Sequence, residues 1–200
     1  TKKYATINKL SIQEAARQIR YTYIEELKEL GCFDKLITAH HQNDLVETFF
    51  INLKRKSGIN GLKSIPVKRD YIVRPLLAFS SEEIDAYIHK NAIEYREDSS
   101  NENLKYLRNN IRKNVIPTLI ESFPDFIKNT SESISMLKAE NDTFNYLLEQ
   151  EFSKITSSDS EILFLPKKRL LNYPHPSVVL YRILYKYGFN FSQCQQISVG

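Results

Sequence analysis

The chain has 200 residues, 42% of them apolar, with a net charge of +4 and a pI near 8.9. That is enough apolar material for one large domain or two small ones, and it excludes intrinsic disorder as the default. Two cysteines, Cys32 and Cys194, lie far apart and form no CxxC; this excludes a disulfide framework, a zinc ribbon and a cysteine-ligated cluster, and fits a reducing cytosol. No run of about 18 apolar residues occurs, and Thr1-Lys2-Lys3-Tyr4 lacks the apolar core of a signal peptide. Ser11-Ile12-Gln13-Glu14 is a capping box that opens a helix closed by Gly31. A short strand is expected over 35–39, followed by a helix whose apolar residues Leu45, Phe49 and Leu53 should face the core. Ser57-Gly58-Ile59-Asn60-Gly61 reads as a loop, and Tyr71-Ile72-Val73 as a strand stopped by Pro75. Ser80-Ser81-Glu82-Glu83 is a second capping box, opening a helix to about Asn91, and Ile93-Glu94-Tyr95 reads as one more short strand.

Helices alternating with strands at these lengths predict an α/β domain with a mostly parallel sheet. The character changes between Pro117 and Pro124. A long helix is expected from Pro124 to about Lys154, with Phe126, Ile127, Ile134, Leu137, Phe144, Leu147 and Leu148 as its apolar stripe. Thr156-Ser157-Ser158-Asp159-Ser160 reads as a linker, and Pro176 to Tyr187 as a helix ended by Gly188. These features predict two domains, 1–120 of α/β type and 121–200 mainly helical.

The chemistry concentrates in Thr38-Ala39-His40-His41-Gln42-Asn43-Asp44-Leu45-Val46-Glu47-Thr48. A strand handing polar side chains to a helix start is where open α/β sheets build their sites. If that helix starts near His41, His40, Asp44 and Glu47 share one face at i, i+4 and i+7. The plainer reading of the two carboxylates is complementarity to a helix N-terminus. Bases cluster in Lys54, Arg55, Lys56, Lys63, Lys68, Arg69 and Arg74, again in Lys105, Arg108, Arg112 and Lys113, and in Lys167-Lys168-Arg169. Such clusters suit a polyanion such as RNA, or equally a solvated face. The five glycines, 31, 58, 61, 188 and 200, include no adjacent pair and form no phosphate-cradling loop after a strand. Tyr181, Tyr185 and Tyr187 read as packing rather than base stacking.

Five motifs occur in order: His40-His41-x-x-Asp44-x-x-Glu47-Thr48; Arg55-x-x-Gly58-x-x-Gly61-Leu62; Arg74-Pro75-Leu76-Leu77; Asp98-x-Ser100-Asn101; and Tyr106-x-Arg108-Asn109-x-Ile111-Arg112. Together they resemble the bacterial tRNA(Ile)-lysidine synthases, members of the PP-loop (N-type ATP pyrophosphatase) superfamily. The resemblance runs from about Ser11 to Pro117 and weakens beyond. It implies part of a PP-loop, Rossmann-like parallel-sheet domain followed by a helical tRNA-contacting domain. It also implies a cytoplasmic carbon–nitrogen ligase that uses ATP and Mg2+ to join free L-lysine to the wobble cytidine of tRNA(Ile) with a CAU anticodon; a homodimer stays open. On this resemblance His40 and Asp44 are catalytic and Asp44 and Glu47 hold lysine. Arg55, Arg108 and Arg112 meet phosphate of ATP or tRNA. The metal is not expected among these residues. Family members often carry two aspartates where this chain has Asn43-Asp44, and a glycine where it has Lys56. The family's Ser-Gly-Gly-x-Asp-Ser loop is absent, so the chain is expected to be an internal piece of a longer enzyme. The alternatives are a tRNA thiolase of the same superfamily, or a helical RNA-binding module that is not catalytic by itself.

Overall fold

A computed structural model describes residues 1–96, 107–152 and 165–199. The chain divides into two compact units: residues 1–57 with 64–132, and residues 58–63 with 133–200. Among the described residues, no helix is long and apolar enough to cross a membrane.

In the first unit a short helix, α1 (Lys2–Ile7), precedes α2 (Ile12–Glu29). The capping box opens α2 as the sequence predicts: the Ser11 hydroxyl accepts the Glu14 N–H at 3.2 Å, and a Glu14 carboxylate oxygen accepts the Ser11 N–H at 3.0 Å. Its end is a Schellman motif. Gly31 takes the left-handed conformation at φ +71°, and the N–H groups of Gly31 and Cys32 return to the carbonyls of Lys28 and Leu27. Strand β1 (Leu36–Ile37) then leads into α3 (Gln42–Lys54). β2 (Lys68–Arg69) and β3 (Ile72–Val73) complete a three-stranded sheet in the order β1-β3-β2.

The expectation of a mostly parallel sheet needs correction here. β1 runs parallel to β3, pairing Leu36 with Ile72, but β2 is antiparallel to β3, so the described sheet is small and mixed. Turn chemistry around Asp70, at φ +54°, folds β2 back on β3. Two further expectations fail. Ile93-Glu94-Tyr95 forms no strand, because the Ala92 and Ile93 N–H groups close α5 (Ser81–Lys90) in a second Schellman pattern onto His89 and Ile88. Ile59–Leu62 forms a short helix, α4, within the stretch read as loop. The Ser80–Glu83 box does open α5. Asp98 to Asn101, Tyr106 and the expected linker at 156–160 lie outside the described residues.

After the described residues resume, α6 (Leu107–Asn110) runs through a π-helical turn, Ile111–Val115, into α7 (Ile116–Ser122). The turn widens because Pro117 has no N–H for the carbonyl four residues back and its ring crowds that carbonyl. The Ile116 N–H bonds Ile111 O instead. The core of this unit gathers Val46, Ile111, Ile116 and Ile127, with Phe50, Ile51 and Phe126 against them. The core face of α3 thus includes Leu45 and is centred on Val46 and Phe50, and Leu53, expected in the core, is 50% exposed.

The helix α8 (Phe126–Phe152) contains the division between the units, at Glu132. In its stripe Ile127, Ile134 and Leu148 are buried, whereas Leu147 is exposed. In the second unit α9 (Lys167–Leu171), α10 (Pro176–Leu184) and α11 (Phe191–Val199) bring Leu148, Leu170, Val179, Leu180 and Cys194 into one core. A 3-10 turn, Tyr185–Tyr187, ends at left-handed Gly188. Tyr181 packs edge-on against Tyr185 and Phe191.

The C-terminus of α3 is a third Schellman motif, with Lys56 N–H on Leu53 O and Ser57 N–H on Asn52 O. Its left-handed residue, at φ +56°, is Lys56. The structure therefore uses the conformation that suits glycine at the position where the chain has lysine. Lys56→Gly is expected to raise stability by about 0.5–1 kcal/mol, removal of the left-handed penalty outweighing the added chain entropy. Urea midpoints of the two proteins check this; an unchanged or lower midpoint contradicts it.

A candidate active site at the start of helix α3

α3 starts one residue later than the sequence pattern suggests. His41 is the N-cap, with extended backbone, and its N–H is accepted by Asp44 Oδ2 at 3.0 Å. His40 precedes the helix, so the expected i, i+4, i+7 face does not form; Asp44 and Glu47 alone share a helical face. The helix start is tied to the segment following β3. The Gln42 N–H bonds Phe79 O at 2.9 Å, and Asn43 Oδ1 accepts the Ser81 N–H at 3.0 Å. Asparagine performs this task as an aspartate would, since only the acceptor oxygen is used.

The arginines come from α6 and its π turn. Arg108 and Arg112, one helical repeat apart, both point at the two carboxylates. Arg108 Nε donates to Glu47 Oε2 at 2.7 Å, and its Nη2 to Asp44 Oδ1 at 3.1 Å. Arg112 Nε donates to Glu47 Oε1 at 2.5 Å, and its Nη2 reaches Asp44 Oδ1 and Glu47 Oε2, each at 3.1 Å. Glu47 is 1% exposed and Asp44 8%, whereas both arginine side chains are 38% exposed. The Glu47 hydrogen bond, opposed by burial and assisted by both carboxylate charges, holds the Arg112 guanidinium above its ordinary value. Two negative and two positive charges close on one another, a fork-to-carboxylate arrangement that satisfies buried charge.

His40 sits beside this cluster. Its Nδ1 is 2.9 Å from Thr38 Oγ1. Burial lowers its pKa below 6.5; Asp44 opposes that shift, and Arg74, Arg108 and Arg17 add to it. His40 is therefore neutral at pH 7 and able to accept a proton. A cavity of about 430 Å³ is lined by Thr38, His40 and Asp44 and, from α2, by Arg17, Arg20 and Tyr21. Sequence reasoning missed these three. Their spacing, with Arg20 and Tyr21 three and four residues after Arg17, marks one helical face and was the available signal.

Of the residues expected at the site, the structure joins His40, Asp44, Glu47, Arg108 and Arg112. Arg55 is not with them. It is the exposed C-cap of α3, eight residues and roughly 12 Å of helix beyond Glu47. Arg74 is interior: it is 7% exposed and its Nη1 donates to Pro66 O at 2.8 Å. Among the described residues, no group of three or more His, Cys, Asp or Glu side chains could hold a metal ion. The Asp44 and Glu47 oxygens already receive donors, so this set does not fit the magnesium that the resemblance implies.

A depressed histidine has a definite sign in stability. The unfolded chain takes up a proton near pH 6.5 before the folded one does, so this contribution is complete above that pH and is lost as pH falls through the folded value. The His40 ring resonances are expected to titrate below 6.5, and His40→Gln should flatten the acid side of the stability–pH curve. A midpoint above 6.5 would contradict the burial account.

Two family models and several named proteins match the chain. A PP-loop domain model matches residues 1–119, and a TilS substrate binding domain model matches residues 157–199. The chain is 38% identical to a tRNA(Ile)-lysidine synthase of Parabacteroides distasonis, over 93% of this chain and 42% of the relative. It is 35% identical to that of Porphyromonas gingivalis over 100% of this chain and 43% of the relative, and 34% identical to that of Bacteroides thetaiotaomicron over 99% and 46%. The chain thus spans less than half the length of these relatives. With the PP-loop model covering more than half of its residues and the charged cluster lying inside that match, the chain belongs to the PP-loop family.

Proposed function

We propose that the chain is part of a tRNA(Ile)-lysidine synthase. The observation that carries this reading is the closed Asp44–Glu47–Arg108–Arg112 cluster beside a neutral imidazole, within a PP-loop domain whose relatives bear that name. In the reaction, the C2 carbonyl oxygen of the wobble cytidine attacks the α-phosphate of ATP and pyrophosphate leaves. The lysine ε-amine then attacks C2, and AMP leaves with the former carbonyl oxygen. The amine, at a reference pKa of about 10.4, must first give up a proton, and neutral His40 is the acceptor beside it.

The hydrogen bonds divide the labour between the carboxylates. A carboxylate offers about four lone-pair sites. Asp44 receives two guanidinium N–H groups and one backbone N–H, has His41 Nε2 3.4 Å from its Oδ2, and lines the cavity, whereas Glu47 does not. Asp44 therefore takes the lysine ammonium. Glu47, sealed from solvent, contributes to the lysine site by fixing both guanidinia. The exposed edges of Arg108 and Arg112, with Arg17 and Arg20, meet phosphate of ATP or tRNA. Magnesium and the ATP phosphate loop are not supplied by the described residues, and the ATP and tRNA steps are proposed for the full-length enzyme.

The full-length protein, given ATP and a tRNA(Ile) transcript with a CAU anticodon, is expected to release AMP only when lysine is present. Release that depends on sulfide would identify a thiolase and overturn the reading. Cys194, fully buried with its thiol pushed up by burial, is unsuited to carrying sulfur.

A further inference from the structure

From Leu36 to His40 burial alternates: Leu36, Thr38 and His40 are half-buried, and Ile37 and Ala39 are exposed. That is the period of two of an extended strand, so Thr38 and His40 stand on one side of the segment. The Thr38 N–H is accepted by Val73 O at 3.0 Å, which carries the β1–β3 ladder one residue past β1 and fixes the Thr38 backbone. Threonine is branched at Cβ and stiff about χ1, and its hydroxyl lies at the His40 ring, 2.9 Å from Nδ1. Both side chains line the cavity that Asp44 also lines.

The charged groups acting on His40 are Asp44, Arg74, Arg108 and Arg17. They bias whether the ring holds a proton, but among the described residues the hydrogen-bond partner of its Nδ1 is Thr38 alone. A hydroxyl donates or accepts, and the reaction chooses between the two. With Nδ1 occupied, Nε2 is the nitrogen open to a substrate. It can take a proton only if the neutral ring carries its hydrogen on Nδ1. That Nδ1–H needs an acceptor, and the same Nδ1–H···Oγ1 bond survives when the ring becomes imidazolium, in which both nitrogens donate. The opposite bond, from the Thr38 hydroxyl to Nδ1, would leave Nε2 protonated and unable to act.

We propose that Thr38 is a positioning residue for the chemistry: its hydroxyl accepts the His40 Nδ1–H and so keeps the Nε2 lone pair free for the lysine proton. An N–H bond of the lysine ammonium breaks, its electron pair stays on the amine nitrogen, and the proton bonds to Nε2. Thr38 neither gains nor loses a proton. The inference rests on the reading of His40 as the proton acceptor of a lysine-using enzyme and adds the group that makes the ring competent.

The test uses the full-length protein with nitrogen-15-labelled histidine and reads the His40 ring nitrogens by long-range proton–nitrogen correlation at a pH above its pKa. Loss of the signal in His40→Gln identifies it. Wild type is expected to show a hydrogen on Nδ1 and none on Nε2. Thr38→Val keeps the shape and removes the acceptor; it should shift the ring toward the Nε2–H form and lower kcat about tenfold, part of the about 100- to 10,000-fold that a general base contributes. KM for lysine should stay within about twofold. Thr38→Ser should return both tautomer and kcat close to wild type. Wild type with its hydrogen on Nε2 overturns the proposal without any variant, which decides the matter if Thr38→Val does not fold. A folded Thr38→Val with wild-type tautomer and kcat also overturns it, as does a loss of kcat that Thr38→Ser fails to restore. If wild type carries Nδ1–H but releases no lysine-dependent AMP, the functional reading fails and the proposal with it; where that release is present, a failure concerns Thr38 alone.

Discussion

Glu47→Gln is expected to destabilise the protein by about 2–3 kcal/mol, the largest loss of any single change at the site. Glu47 is almost wholly buried and accepts three guanidinium N–H groups, from Arg108 Nε, Arg112 Nε and Arg112 Nη2. Glutamine keeps the shape but replaces one acceptor oxygen with an amide that donates, so a guanidinium N–H would face another donor. The two arginines would then share the single charge of Asp44. Both are 38% exposed, and water relieves part of that excess, which places the loss at or below the lower end of what removing one partner of a fully buried pair costs. Urea denaturation with an unchanged m-value measures the difference. A loss below about 1 kcal/mol would mean that the cluster behaves as a surface ion pair. A double-mutant cycle of Glu47→Gln with Arg112→Gln should give a coupling of about 1–3 kcal/mol, since the two side chains touch.

The same cluster shows what the sequence could and could not disclose. Helix ends were legible because their chemistry is local: Ser11 with Glu14, Ser80 with Glu83, and Gly31 and Gly188 in left-handed turns each act within a few residues. In the sheet, β1 and the strand at Ile72–Val73 were legible and pair in parallel, but β2 was not, because a strand of two residues carries no periodicity and it acquires its direction from a turn at Asp70 and from its partner β3. Leu53 shows a similar limit. Helical spacing marks it as apolar-facing, but the neighbours that define the core lie on the Val46 and Phe50 side. At the site, residue types were legible and pairings were not. Arg108 and Arg112 read as phosphate ligands because nothing in their own segment shows that their Nε atoms are already committed to Glu47. That commitment is a tertiary contact across some sixty residues of chain, and it recasts two independent pairs as one charge-balanced unit. Arg17 and Arg20 were overlooked for the same reason: only the ends of their helix were legible, and the cavity they line exists only after folding.

Asp44→Asn is expected to separate chemistry from binding. The buried Glu47 still anchors both Nε atoms, so Arg108 and Arg112 keep their places and the protein keeps its fold. What disappears is the negative charge at the cavity wall beside His40. On the proposed reading this charge holds the lysine ammonium. In the full-length enzyme, kcat/KM for lysine should fall about 100-fold, equivalent to about 2.7 kcal/mol of lost transition-state stabilisation, whereas Kd for tRNA should stay within about twofold. The asparagine amide also faces its donor side to whichever of the lysine ammonium or the arginine Nη2 groups it meets, so the loss is not recovered by raising ATP. Saturating lysine should recover the full rate if the role is binding alone, and only part of it if Asp44 also tunes His40, whose pKa it raises against the effect of burial. In that case the acid limb of the pH–rate profile moves to lower pH in the variant, because removing the carboxylate leaves burial and the three arginines to act alone on the imidazole. Equal losses in lysine use and tRNA affinity would show instead that Asp44 serves the fold, and would return its role to that of the N-terminal partner of helix α3.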